Sequence, residues 1–129
     1  MSQLTFNEKD VRRTAVLVAT LGNAATTWHS GIIIPAGALV TAVNVCALSA
    51  ITTTNASATV VLNAGSTPLI ATTKINALPS QTVSTALALL TTSGVYVSAG
   101  GELNLVVSAS SNTACTAAYN FYVDYLFVG

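Results

Sequence analysis

Charged side chains are nearly missing from this chain. Its 129 residues include four Lys or Arg and four Asp or Glu, 6% of the total, and the formal net charge is zero. An average soluble protein carries about 25% charged residues. The polar positions are held instead by Ser, Thr and Asn, which cost far less to desolvate than an unpaired carboxylate or ammonium. Such a composition suits a chain whose surface is largely covered by partners. There is no basic stripe, so a nucleic-acid site has no electrostatic basis. Five of the eight charges, Glu8, Lys9, Asp10, Arg12 and Arg13, cluster near the N-terminus. Their mixed sign is unlike a membrane-binding polybasic segment.

Other shortages narrow the chemistry. Two cysteines, Cys46 and Cys115, exclude a disulfide framework and leave two free thiols or a single bridge between them. With one histidine, His29, and no close-spaced ligand pair, no recognised zinc spacing exists. A nucleophile would need a base oriented by a third group, and the isolated acids Glu102 and Asp124 are weak material for a catalytic pair. No dinucleotide or phosphate-binding glycine motif is present. The expectation is a non-enzymatic chain with no cofactor and no metal. No apolar run approaches the length of a membrane-spanning helix. The polar, mixed-charge first thirteen residues do not look like a secretory leader, and Met1-Ser2 reads as an unprocessed cytosolic start.

What the sequence has in quantity is β-prone residues. It is 52% hydrophobic, which argues against disorder, and its length suits one domain. Short runs of Val, Ile, Leu, Thr and Tyr alternate with Gly, Pro, Asn and Ser clusters. Strands are expected at about 11–20, 27–34, 39–48, 58–64, 69–73, 95–98, 103–109 and 116–128. The stretch 82–91 is ambiguous between a helical turn and a strand, and context favours the strand. Loops are expected at 21–25 and 51–57, and a turn at Gly65-Ser66-Thr67-Pro68. Along 39–48 both faces are apolar, as in a strand inside a sandwich or at a subunit contact. In the last segment Tyr119, Phe121, Val123, Tyr125 and Phe127 share one face, while Asn120 and Asp124 mark the wetter one. Gly100-Gly101 between two β-prone runs signals a hairpin or a corner.

These features predict an all-β protein: a single antiparallel β-sandwich, jelly-roll-like, with about eight strands. An extended N-terminal arm (1–13) precedes the sandwich (14–129). Trp28 and Tyr122 are candidate interface aromatics. With their neighbours they could instead form a carbohydrate platform, but aromatics at strand spacing are more often core or subunit interface.

Three segments together resemble small structural proteins of tailed bacteriophages. They are Ser30 to Val40, with Ile34-Pro35-Ala36-Gly37-Ala38 at its centre, Gly100 to Val107, and Phe121-Tyr122-Val123-Asp124-Tyr125. The resemblance spans about residues 28–128 and leaves the charged arm unmatched. It implies a capsid decoration (cement) protein or a part of a tail or fibre, often trimeric. The partners implied are the major capsid protein or other virion proteins and further copies of the chain, with no nucleic acid and no membrane. The location implied is the capsid surface of a virion assembled in the host cytoplasm. On that reading Glu8, Lys9, Asp10, Arg12 and Arg13 are candidate contacts to the capsid or a neighbouring subunit. The competing expectation is a tail-fibre or appendage module that binds a host receptor or glycan.

Overall fold

Strict period-two alternation decides which side of each strand is buried. A computed structural model describes residues 12–21, 25–48, 59–74, 78, 85–108 and 117–128. Among these, Ala15, Leu17 and Ala19 of β1 (Arg12–Leu21) are buried, while Thr14, Val16, Val18 and Thr20 between them are exposed. The last strand, β10 (Ala117–Phe127), buries Tyr119, Phe121, Val123 and Tyr125, the face predicted for it.

Among the described residues, ten strands form two antiparallel sheets. In the first, β1 pairs with β10 and β10 with β3 (Ala38–Ala47); β7 (Thr85–Leu87) and β8 (Val95–Val97) share the far edge of β3. In the second, β2 (Thr26–Ile34) pairs with β9 (Gly101–Ser108) and β9 with β4 (Thr59–Ala64). The short β5 (Thr67–Pro68) and β6 (Thr73–Lys74) share the far edge of β4. The chain changes sheet from β1 to β2, to β3, to β4, and again around β7, β9 and β10. The result is a jelly-roll-like sandwich with the equivalent of four strands in each layer. Its core joins Leu17, Val45, Phe121 and Val123 of one sheet to Ile34, Leu62, Leu103 and Leu105 of the other.

Strand β3 departs from the expected alternation. Asp124 pairs with Ala42 but Tyr125 with Val40, so Thr41 is an extra residue. The buried set is therefore Ala38 and Val40 before this bulge and Val43, Val45 and Ala47 after it. The strand reads as apolar on both faces in sequence because the bulge carries its inward positions from one parity to the other. Other boundaries move too. Thr67–Pro68 is a strand rather than part of the turn, and Leu69–Thr73 is no continuous strand: Ile70 makes a lone bridge to Leu89. Within 82–91 the strand reading holds for Thr85–Leu87. The expected loop at 51–57 lies outside the described residues.

Gly100-Gly101 is a corner between sheets, since β8 belongs to the first and β9 to the second. It is stacked on two other turns. A Cβ on Gly65 (φ 62°) would lie 2.8 Å from the Gly100 carbonyl oxygen, and one on Gly100 (φ 71°) 2.7 Å from the Ala36 nitrogen. Backbone packs directly on backbone there, which only glycine permits.

Candidate functional site

The single histidine and one of the few acids meet on the second sheet. Between His29, paired with Asn104, and Ile33, paired with Glu102, β2 takes four steps while β9 takes two. The extra residues form a bulge around Gly31 (φ 74°). Glu102 closes it: Oε1 lies 2.7 Å from His29 Nδ1, and Oε2 accepts the Gly31 N–H at 3.0 Å. Ser30 Oγ donates to the Leu103 carbonyl at 2.7 Å and accepts the Ile32 N–H at 3.0 Å. Beside them the Asn104 amide donates to the carbonyls of Gly65 and Glu102, and its oxygen accepts from Asn63 Nδ2.

These contacts resemble two-thirds of a catalytic triad, an imidazole held by a carboxylate, and the same carboxylate braces the bulge through the Gly31 N–H. The Ser30 hydroxyl is engaged with backbone, and the His29 side chain is exposed (62%). Glu102 Oε2 and Ser30 Oγ satisfy backbone groups at the bulge. Glu102 and Asp124 do not meet. Glu102 lies on the second sheet, whereas Asp124 lies on the first, where its Oδ1 accepts from the Thr14 hydroxyl at 2.7 Å. Among the described residues, no cluster of three potential metal ligands exists.

The outer face of the first sheet has a different character. Val16 and Val18 of β1, Leu48 just after β3 and Tyr96 of β8 are exposed on it, with Val18 at 59%. Between them lie the half-buried Tyr122, Leu126, Asn44 and Leu39. Asn120 Nδ2 donates to the Tyr122 hydroxyl at 3.1 Å. Cys46 pairs with Asn120 across the ladder; it is a free thiol, half-buried on this face, and Cys115 lies outside the described residues.

Of the expected contact residues, Arg12 and Arg13 open β1, opposite Leu126 and Tyr125, and are exposed. Arg13 lines a cleft of about 320 Å³ together with Ile33, Pro35, Tyr125 and Phe127. Glu8, Lys9 and Asp10 lie outside the described residues. Trp28 pairs with the buried Leu105 and packs half-buried against the core. Tyr122 is on the outer face of the opposite sheet, so the two aromatics form no common platform. The His29–Glu102 contact, 73 positions apart in sequence, was not anticipated. The available signal was Gly31 inside a β-prone run, which marks a bulge whose freed amide needs an acceptor.

No protein-family model matches the chain, and no curated protein matches it. Solved structures do. A chain of the acid-stable capsid structure of Helicobacter pylori bacteriophage KHP30 superposes with a TM-score of 0.58 at 12% identity, covering 92% of this chain and 95% of that one. A chain of the cyanophage Pam1 capsid asymmetric unit gives 0.56 at 18% identity, covering 98% and 94%. At such identities the likeness is one of fold, and it runs through nearly the full length of both partners. An all-β sandwich similar to chains of phage capsids is the class that fold and surface define.

Proposed function

We propose that this chain is a non-enzymatic virion structural protein that decorates a bacteriophage capsid and stabilises it through protein–protein contacts. The observation that carries this reading is the outer face of the first sheet. Of the eight large hydrophobic residues exposed among those described, four (Val16, Val18, Leu48 and Tyr96) lie on it. The acid within it, Asp124, is already engaged by Thr14. A face whose exposed positions are mostly uncharged and apolar is what a protein surface covers at little desolvation cost. The fold likeness to chains of two phage capsids supports the same partner, a shell protein. Repetition over a lattice would turn modest individual contacts into strong retention.

Purified particles test the reading. The chain should be present at a fixed, high ratio to the shell protein. Particles assembled without it should lose their contents at lower temperature or on dilution. Particles that lack the chain and are equally resistant would overturn the proposal.

A further inference from the structure

Buried polar atoms without a hydrogen-bond partner are rare in folded proteins, and each one asks for a reason. Among the described residues one side-chain oxygen is in that state, Asn120 Oδ1. It sits in the middle of the first sheet, where Asn120 pairs with Val18 on one side and Cys46 on the other. A buried acceptor with no donor has given up water for nothing, so this carboxamide costs the isolated chain stability. Places where a protein keeps such a local fault are typically functional. The other end of the same amide shows what it does. Nδ2 donates to the Tyr122 hydroxyl at 3.1 Å. Tyr122 is two residues on, hence on the same outer face, between Val16 and Asn44. Its hydroxyl accepts that bond and makes no other among the described residues, so its proton is still to be given.

We propose that the Tyr122 hydroxyl donates a hydrogen bond to an uncharged carbonyl of the shell protein, and that Asn120 is the positioning residue that holds the phenol for it. The inference rests on the capsid reading of this face and names the chemistry that the partner brings to it. The polarity of the site selects an acceptor, because Asn120 already supplies a donor to the phenol oxygen. The charge nearby selects a neutral one. Asp124 lies two residues beyond Tyr122 on the same face, and its partner there, the Thr14 hydroxyl, brings no positive charge to cancel it. A carboxylate of the shell protein would be carried towards that charge, whereas an amide carbonyl would not. The surroundings suit a hydrogen bond that counts. Val16 and Val18, exposed in the isolated chain, flank the Tyr122–Asn120 pair along β1. Covered by a partner they would keep water from the new bond, as around the tyrosines that anchor other interfaces. The cost of the unpaired Asn120 oxygen is then borne for a phenol held ready for its acceptor.

A double-mutant cycle on particles depleted of the wild-type chain tests it. The full chain is compared with Tyr122→Phe, Asn120→Leu and the double variant, each by its affinity for the particles and by its urea midpoint in isolation. Tyr122→Phe should weaken binding about tenfold, the worth of one hydrogen bond in a desolvated contact. Asn120→Leu should weaken it several-fold while its urea midpoint stays at or above that of the wild type, which separates a positioning role from a structural one. The double variant should bind like Tyr122→Phe alone, since Asn120 acts through the hydroxyl. Wild-type affinity in Tyr122→Phe would overturn the inference and leave the capsid reading standing. So would losses that simply add in the double variant, or a urea midpoint of Asn120→Leu below that of the wild type. A wild-type chain that does not bind depleted particles would overturn the capsid reading and this inference with it.

Discussion

Glu102 reaches across the ladder to His29, Oε1 to Nδ1 at 2.7 Å, while its second oxygen accepts the Gly31 N–H at 3.0 Å. One carboxylate therefore stitches both sides of the β2 bulge. Glu102→Ala removes the acceptor and leaves the amide to water, which should cost about 1 kcal/mol of stability. Glu102→Gln keeps an acceptor for Gly31 and should cost less. His29→Ala, which leaves the Gly31 contact intact, should fall within about 0.5 kcal/mol of wild type, as an exposed pair contributes little. Urea denaturation of the three variants gives the order. A His29→Ala loss larger than that of Glu102→Ala would contradict the bracing role.

Two glycines of positive φ should respond differently to alanine. At Gly31 nothing lies within 4 Å of a new Cβ, so Gly31→Ala carries only the backbone penalty, about 1–2 kcal/mol. At Gly101 (φ 152°) the new Cβ would press on the backbone of Gly65, which cannot yield as a side-chain end can. Gly101→Ala should therefore cost clearly more, roughly 2–4 kcal/mol or loss of folding. Equal thermal denaturation midpoints for the two variants would mean that the corner is not closely stacked.

Why the sequence revealed some of this and not the rest follows from the residues. Strand β10 was legible because Tyr119, Phe121, Val123 and Tyr125 cannot trade faces with Asn120 and Asp124 without burying an acid. The bulge in β3 was not, because Thr41 and Ala42 are small and tolerate either face. The edge strands Thr67–Pro68 and Val95–Val97 are too short to show a period. The corner at Gly100-Gly101 was visible as a corner, but its stacking on Gly65 joins positions 35 residues apart, which no local pattern records. The same holds for Glu102, identifiable as a lone acid but not as the partner of the lone histidine.

The core should be least tolerant where the two sheets meet. Phe121 is fully buried, with its ring centroid 6.1 Å from that of Tyr119. Phe121→Ala should cost about 3–5 kcal/mol, the range for truncating a buried aromatic. Phe121→Leu keeps most of the volume and should cost less than half as much. Chemical denaturation monitored by tryptophan emission is suitable, since Trp28 packs against the same core. A Phe121→Ala variant as stable as wild type would place that ring outside the packed interior.

The proposed contact face should separate binding from folding. Tyr122 is half-buried on the outer face of the first sheet, between Val16 and Asn44. In Tyr122→Lys the aliphatic stem can still cover its neighbours while the ammonium reaches water, so the isolated chain should lose at most about 1 kcal/mol. Against a shell surface the same ammonium must be desolvated, a cost of several kcal/mol when it is left unpaired. Occupancy on particles should fall tenfold or more. Val106→Lys places the same charge on the outer face of the second sheet, where Val106 is partly exposed, and should leave occupancy unchanged. Quantifying each variant bound to particles depleted of the wild-type chain decides between the faces. Loss with Val106→Lys but not with Tyr122→Lys would move the contact to the second sheet. Loss with neither would place it away from both.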